Sequence, residues 1–543
     1  MLEAAGTSPS PLISRRTAPP AWVVVALACA GQFLVVLDVS VVNVALPSMR
    51  TDLGLSPGGL QWVVNAYAIA FAGFLLLGGR AGDLYGRKRM FLVGLGVFTL
   101  ASLGGGLAQE GWQLLLARAV QGLGAAVLAP STLTLVTAAV PEGAARARAI
   151  ATWTAVGAGG GAAGGIVGGV LVDLLSWRWV LLINVPVGAV VLAGAVSWLT
   201  ESRAGDRRRL DVLGALLVTA GLATLAYGIV QTEAEGWTAA ATLVPLCAGL
   251  ALIALFLLVE ARTAAPLMPL GLLRLRSVAS ANAAMFICGS AMFCMWYFMT
   301  LYTQNVLHYS PLESGTALVP SSLSVVVGSK LAPRLMRTAG AHRVATAGTL
   351  VAAVGFGWQS TLSAHSPYVT GIMIPGMLMM LGAGLSATPL ASLATSGAAP
   401  GEAGLVAGLV NTSRTMGGSL GLAVMSTVAA AGTGDGGGAE ALTDGYALAF
   451  RTSAAVLLGG AALMLVWLPH SASSAAAGSS AGSSSGSSAG SSAGSSAGAS
   501  TESPAAPSTG SPEDSQAASS VASSEDSQEA PSAAASSEES PAE

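Results

Sequence analysis

Residues Gly79–Lys88 read GRAGDLYGRK, a short charged segment between two long runs that carry no charge. The run 60–78 precedes this segment and the run 90–108 follows it. Each run has about the 20 residues that a helix needs to cross a lipid bilayer, so we expect a tight turn at one membrane face. Four cations crowd this turn, and the positive-inside rule therefore predicts that the face is cytoplasmic. They are Arg80, Arg87, Lys88 and Arg89.

Composition places the whole chain in the membrane. The 543 residues are 53% hydrophobic and 9% charged, whereas soluble domains have about 25% charged residues. Apolar runs recur from residue 22 to residue 468, and their lengths predict about 14 membrane-spanning helices. The runs 211–231 and 238–260 favour fourteen spans over twelve, because both are long enough to cross and their only charges, Asp211 and Glu260, lie at their ends. The predicted fold class is an all-α polytopic membrane protein.

Shifts in composition divide the chain into five segments. We expect both termini in the cytoplasm, because alternate loops carry most of the arginines. The tail lacks an apolar pattern that could form a core, so we expect it to be disordered and dispensable, with regulation or partner binding as the alternative. The segments are a cytoplasmic stretch at 1–20, an N-terminal six-helix bundle at 21–200, a central linker with two inserted helices at 201–275, a C-terminal six-helix bundle at 276–470 and a Ser/Ala/Gly-rich acidic tail at 471–543.

Several kinds of chemistry find no support in the sequence. No G-x-x-x-x-G-K-[ST] segment occurs, so we expect no nucleotide by that route, and an ion gradient must drive any work. The four cysteines all lie inside apolar runs, which argues against a disulfide framework or a metal site. We expect no cofactor, no metal and no nucleic acid as partner. A membrane-embedded enzyme would need clusters of His, Glu or Cys near a membrane face, and the sequence has none.

Asp38 and Arg118 are ionisable residues inside predicted spans. Asp38 follows Trp22 by about 24 Å of helix, and Arg118 lies early in the fourth run, so both fall in the outer half of the membrane. An ionisable group at this depth is costly and is functional by default. Asp38 could carry a proton, could pair with a cationic cargo or could be structural. Arg118 cannot release its own proton, but it can act on a nearby acid or bond helix ends.

Glycine dominates the fifth apolar run. Gly160, Gly164 and Gly168 recur at spacing four, and Gly169 follows directly. Spacing four allows two helices to approach closely, whereas many glycines also weaken a helix enough to bend. The pattern fits close packing and a bending element equally well.

A soft apolar surface is predicted in the ninth run, 279–303. Methionine and aromatic side chains such as Met292, Trp296 and Met299 suit a cavity for varied ligands, and lipid-facing bulk is the alternative. Three polar residues on other runs complete the predicted substrate cavity. They are Asn43, Gln121 and Arg414.

Four motifs together resemble the fourteen-helix drug:proton antiporter branch of the major facilitator superfamily. Gly165 departs from the pattern, because it stands where the antiporter motif usually has proline. The motifs are LDVSVVNVALP at Leu37–Pro47, the Gly79–Lys88 segment, RAVQGLG at Arg118–Gly124, and the glycine-rich Gly160–Gly169 followed by WRWVLLINVP at Trp177–Pro186.

The resemblance implies a fold of two six-helix bundles with a central two-helix insertion, which rock about a midplane site. It implies that Asp38 and Arg118 couple transport to protons and that the glycines of the fifth run form the antiporter motif. Gating would fall to Gly79, Asp83, Gly86, Arg87 and Lys88.

The resemblance also implies a function and a place in the cell. It predicts that an amphipathic drug or a self-made antibiotic is exported across a bacterial cell membrane in exchange for protons. An exporter of an endogenous metabolite or lipid precursor is the alternative. The small number of charges inside the spans favours an apolar cargo.

Overall fold

The structure, a computed structural model, describes residues 20–202, 210–263, 266–396, 398, 402–434 and 438–469. These residues belong to one compact unit. The predictions for the N-terminal stretch 1–20, except Pro20, and for the tail 471–543 lie outside the described residues. Within the described ranges the regular structure is helical throughout, without a strand.

Seven helices form the N-terminal half. Ser56 caps the N-terminus of the second helix, α2. Its hydroxyl accepts from Gly59 N at 3.0 Å, and Pro57 occupies the first helical position. The helices are α1 Ala21–Leu53, α2 Pro57–Tyr85, α3 Arg87–Gly106, α4 Gly111–Ala139, α5 Ala144–Leu174, α6 Trp179–Leu182 and α7 Asn184–Trp198.

The central insertion is a helical hairpin. Helix α8 covers Val212–Glu235 and α9 covers Ala240–Arg262. The two helices approach closely at glycine, because a Cβ on Gly249 would lie 2.7 Å from Leu225 N. Both helices are long and apolar enough to cross a membrane, which confirms the preference for fourteen spans over twelve.

The C-terminal half contains seven helices and three tighter or wider turns. A 3-10 turn at Leu270–Arg274 leads into this half, and π-helical turns occur at Tyr302–Val306 and Val369–Met373. The helices are α10 Arg276–Leu301, α11 Pro311–Ala317, α12 Val319–Ala339, α13 Ala341–Gln359, α14 Ile374–Ser396, α15 Ala403–Thr433 and α16 Ala439–Trp467.

The number of spans agrees with the sequence to within one helix. In the described ranges, 13 helices are long and apolar enough to cross a membrane, where α6 with α7 and α11 with α12 each form one span. Helix α13 is the predicted run that is missing from this set. Its first turn contains His342 and Arg343, and these polar residues lower its mean hydropathy. Buried packing against α14 and α16 holds α13 in the bundle.

The segment Gly79–Lys88 differs from its prediction. It is not a loop, because α2 continues through Tyr85 and α3 begins at Arg87. Gly86 alone joins the two helices, with φ at 106°, a left-handed conformation that glycine adopts without strain. The helix ends that carry Arg80, Arg87 and Lys88 are called the basic face below, and the ends on the other side are called the opposite face.

The two halves are held together at both lateral edges. On one edge, α8 packs against both α2 and α15, and α2 packs directly on α15. On the other edge, α5 packs against α11 at the opposite face, where Leu312 N donates to Asp173 Oδ2 at 3.1 Å. Large buried side chains from both halves, such as Leu46 and Phe298, meet in one apolar cluster between these edges.

Candidate functional site

Asp38 and Arg118 form a buried ion pair between α1 and α4. Arg118 NH1 lies 2.7 Å from Asp38 Oδ2, and the two side chains are 2% and 0% exposed. Removing either partner would leave a lone charge in a low-dielectric interior, which is strongly destabilising. The structure therefore brings together the two charges that the sequence singled out on separate helices.

Two amides and one hydroxyl complete the surroundings of the carboxylate. Asp38 Oδ1 accepts from Gln121 Nε2 at 2.7 Å and from Asn184 Nδ2 at 2.9 Å. Both amides also donate to Ser102 Oγ, at 2.8 Å and 3.3 Å. Gln121 thus belongs to the ion-pair cluster in this structure. The sequence had instead predicted that it lines the substrate cavity. Sequence reasoning did not single out Asn184 or Ser102, although Asn184 lies in the quoted WRWVLLINVP motif.

Arg118 has partners that do not depend on Asp38. Its Nε donates to Val63 O at 3.1 Å, and NH1 donates to Gln121 Oε1 at 2.7 Å. Its guanidinium carbon lies 4.4 Å from the centre of the Tyr67 ring, within the range of a cation–π contact. The cation therefore keeps two hydrogen bonds and an aromatic face when Asp38 is neutral.

A cavity lies between the two halves, on a different side of α1 from Asp38. Its volume is about 10 Å³, room for about one water molecule and far below the range of about 300–1,000 Å³ for pockets that hold drug-sized ligands. Cargo binding must therefore widen it. The predicted cavity residues Asn43 and Trp296 both line it, and the full lining is Ser40, Asn43, Val44, Gly165, Trp296, Thr300, Gly315, Leu318 and Ser322.

The remaining predicted cavity residues lie in three different surroundings. Met292 lines a second space, within the C-terminal half, together with Phe356 and Met379. Met299 is fully buried in the apolar cluster that also contains Phe298 and lines neither cavity in this structure, so its cavity-lining role stays a prediction. Arg414 lines neither cavity in this structure.

The predicted antiporter glycines divide between two helix faces. Gly160, Gly164 and Gly168 face α1, and a Cβ on Gly168 would lie 3.0 Å from Val41 Cα. Gly169 instead faces α11, where a Cβ would lie 2.5 Å from Leu312 Cα. One face of α5 thus packs within its own half and the other face packs against the second half.

Gly165 takes part in a close backbone approach between the halves. A Cβ on Gly165 would lie 2.8 Å from Gly315 O, and a Cβ on Gly315 would overlap Gly165 O. The proline that the family pattern usually has at this position is replaced by a residue that allows backbone-to-backbone contact. Gly315 was not found by sequence reasoning, because nothing in α11 marks it as the partner of α5.

The predicted gating residues are anchored to the end of α7. Lys88 Nζ donates to Val196 O at 2.9 Å and to Leu199 O at 2.6 Å, and so binds the C-terminal carbonyls of that helix. Glu201 accepts from Lys88 N and Arg89 N, each at 3.2 Å, and so caps the start of α3. Glu201 was missed, since it follows the last apolar residue of its run.

Asp83 has a weaker partner. Its Oδ1 lies 3.9 Å from Arg87 NH2, and the Asp83 side chain is 44% exposed. An exposed pair of this kind contributes about 0–1 kcal/mol. Asp83 is therefore available to bond elsewhere when the halves move.

The inserted hairpin adds two acids near the gating helix. Asp211 caps α8 by accepting from Gly214 N at 2.8 Å, and Glu260 on α9 accepts from Met268 N at 3.2 Å. Asp211 and Arg80 are close enough to act electrostatically on Glu260. Sequence reasoning took both inserted helices as plain spans and did not predict that their acids reach the basic face of α2.

No arrangement in the described part of the chain points to a metal centre. Groups of three or more His, Cys, Asp or Glu side chains that could hold an ion do not occur there. The site places a buried, hydrogen-bonded carboxylate beside a cavity between two helical halves. This combination defines a multi-pass membrane transporter.

The chain belongs to the Major Facilitator Superfamily, whose family model matches residues 28–422. It is similar to the cephamycin export protein CmcT of Amycolatopsis lactamdurans, with 47% identity over 82% of this chain and 92% of that protein. It is also similar to the puromycin resistance protein pur8 of Streptomyces alboniger, with 38% identity over 81% of this chain and 90% of that protein. Family and relatives are transporters, which makes an enzyme activity unnecessary to explain the chain.

Solved structures support the fold. The nucleoside transporter NupG superposes with a TM-score of 0.61 and 11% identity, over 82% of this chain and 100% of that chain. An inward-facing, unoccupied bacterial homologue of the human lysosomal transporter Spinster gives a TM-score of 0.59 and 16% identity, over 83% and 97%. At these identities the likeness concerns architecture alone.

Proposed function

We propose that this protein exports an amphipathic drug or a self-made antibiotic across a bacterial cell membrane in exchange for protons. The relatives named above are an export protein for one antibiotic and a resistance protein for another. The basic face would be cytoplasmic, because its helix ends carry the cations Arg80, Arg87 and Lys88. The observation that carries proton coupling is the fully buried Asp38–Arg118 pair.

The cluster is suited to a carboxyl that changes its charge. When Asp38 takes up a proton, Arg118 keeps its bonds to Val63 O and Gln121 Oε1. Asn184 and Gln121 can donate to a neutral carboxyl as well as to a carboxylate, because its carbonyl oxygen remains an acceptor. Protonation therefore weakens the link between α1 and α4, while Arg118, Gln121 and Asn184 keep other partners.

The geometry favours a proton over a cationic cargo as the ligand of Asp38. The carboxylate is 0% exposed and is surrounded by Arg118, Gln121 and Asn184. A drug cation would have to displace these three partners to reach it. The cavity that could receive cargo is lined by Ser40 and Asn43 instead, on another side of the same helix.

Helix α1 then links the two events. Ser40 Oγ donates to Gly161 O of α5 at 2.8 Å, and Gln304 Nε2 from the C-terminal half donates to Val44 O at 2.9 Å. A shift of α1 caused by protonation at Asp38 acts directly on the cavity wall and on the contact between the halves. Alternating access follows when those contacts open at one face and close at the other.

The test is uptake into everted membrane vesicles that contain the wild-type chain. A proton gradient with an acidic vesicle interior should drive accumulation of a β-lactam antibiotic, because the drug enters as protons leave, and a protonophore should abolish it. The membrane potential alone supplies about 2.3 kcal/mol per charge per 100 mV. Uptake that persists after the proton gradient is collapsed, or that requires ATP, would contradict the proposal.

A further inference from the structure

Arg414 is a membrane-embedded cation outside the Asp38 cluster. It lies on α15, about 16 Å along the helix axis from the first residue, Ala403. Its NH2 donates to Asn411 Oδ1 at 2.7 Å. Among the ion pairs of the described residues none includes Arg414, so no carboxylate of that part of the chain lies within 4 Å of it.

A cation at this depth is costly unless an acceptor compensates it. A guanidinium has five N–H donors, and Asn411 supplies one neutral acceptor. None of the fully buried, unpartnered polar atoms in the described chain belongs to Arg414, and its side chain is only partly buried. The remaining donors of Arg414 therefore border open space.

An open stripe leads from the basic face to this guanidinium. Gly404, Ala407, Asn411 and Arg414 follow one another at spacings that place them on one face of a helix. Gly404 and Ala407 are exposed, and a Cβ on Gly404 would have nothing within 4 Å. The polar end of the stripe is thus reachable along small residues.

Packing on both sides fixes the direction of the stripe. A Cβ on Gly408 would lie 2.9 Å from Leu76 of α2, and a Cβ on Gly417 would overlap Phe286 O of α10. At 100° per residue, the stripe falls between these two lines of contact. Arg414 therefore faces the space between α2 of one half and α10 of the other.

We propose that Arg414 binds an anionic group of the cargo, a carboxylate held by two parallel N–H···O bonds. The planar guanidinium matches a carboxylate in this way, whereas a lysine would present a point charge. The cargo would enter from the basic face along the Gly404–Ala407 stripe. This inference rests on the proposed export function and specifies its substrate class. A lipid phosphate is the other anion with the same chemistry, and the experiment separates the two sources.

The experiment measures binding in place of transport. The full-length protein is purified in nanodiscs of zwitterionic lipid, and quenching of its tryptophans reports binding of a cephamycin chosen to carry a single carboxylate, and of its methyl ester. Because charged hydrogen bonds are strong, we expect the wild type to bind the acid about tenfold more tightly than the ester. Arg414→Gln should weaken acid binding about tenfold and ester binding less than twofold. Arg414→Lys should recover part of the loss.

The matched control is Arg451→Gln. Arg451 lies on α16 and is exposed together with Leu458 on the outward side of that helix. The Arg451→Gln variant should leave the affinities for the acid and for the ester unchanged. Equal affinity of the wild type for acid and ester, no binding of either, or equal weakening of both by Arg414→Gln would overturn the proposal. An Arg414→Gln effect that appears only in nanodiscs with anionic lipid would assign the site to a lipid phosphate and would also overturn it.

The outcome is independent of proton coupling. Binding in nanodiscs requires no gradient, so a wild type that discriminates acid from ester but shows no gradient-driven uptake would contradict the export mechanism and retain the anion site. A wild type that shows gradient-driven uptake but binds acid and ester equally would contradict the anion site and retain the export mechanism.

Discussion

Arg118 and Arg414 are two membrane-embedded arginines, one in each half, and their surroundings differ. Arg118 is 2% exposed and has an acid, an amide, a backbone carbonyl and an aromatic ring as partners. Arg414 is partly buried and has one amide. A charge that the protein compensates fully suits a proton switch, whereas a charge that it leaves partly uncompensated suits an external ligand. Under the two proposals above, coupling would belong to the N-terminal half and selection of cargo to the C-terminal half.

Among the variants that test this division, we expect Asp38→Asn to have the largest effect. If Asp38 carries the proton, the variant should lose most of its gradient-driven export of a neutral and of a cationic compound alike, because asparagine cannot take up and release a proton. Ser102→Ala is the control, since Ser102 accepts from the same two amides and carries no charge. Export of the neutral compound at the wild-type rate would assign Asp38 to cargo, and unchanged export of both would return it to a structural role.

Gly315→Ala tests whether the halves must close at the opposite face. The added methyl would overlap Gly165 O, so α5 and α11 must separate. We expect transport to fall about tenfold at normal membrane abundance, together with higher labelling of a cysteine placed at Leu312 by an impermeant reagent. Gly159→Ala is matched, because a Cβ there meets nothing within 4 Å. Wild-type transport by Gly315→Ala would show that this contact is dispensable.

Asp83→Asn tests the basic face. Asp83 is poorly paired with Arg87 in this structure, so a role in transport must come from a conformation in which it bonds more strongly. We expect transport to fall several-fold with normal membrane insertion, measured as uptake per molecule in vesicles. Glu142→Gln provides the comparison, because it breaks another exposed i,i+4 pair, with Arg146 at 2.9 Å. Equal rates for Asp83→Asn and the wild type would remove Asp83 from the gate.

Trp296→Ala and Met299→Ala separate cavity from core within α10. Trp296 lines the cavity between the halves, so its loss should change the relative export of different compounds more than the total rate. Met299 is fully buried, so its truncation should cost about 2–5 kcal/mol and lower the amount of folded protein. Susceptibility profiles and membrane levels distinguish the two. A changed profile for Met299→Ala at normal abundance would restore it to the cavity.

Truncation after His470 should have the smallest effect. The segment 471–543 has no periodic apolar pattern, so we expect export and membrane level to match the full-length chain. Loss of activity by the shortened chain at normal abundance would show that the acidic tract takes part in transport.

Most of the fold could be predicted from length and hydropathy. The runs 211–231 and 238–260 became α8 and α9, because an apolar stretch of this length with charges only at its ends has few alternatives to a membrane helix. Helix ends were harder to predict. The GRAGDLYGRK segment reads as a loop, yet its first seven residues are helical, because a single glycine with positive φ suffices to join two helices.

The sequence by itself determined the membrane class, the family motifs and the two charges Asp38 and Arg118, because a charge in an apolar run is costly wherever it packs. Only the tertiary structure decided what surrounds them. Asn184 is 146 residues from Asp38 and donates to it. Gly315 meets Gly165, and Met299 is core where Trp296 borders a cavity. Such contacts depend on how helices rotate and cross, and residue type does not specify that rotation.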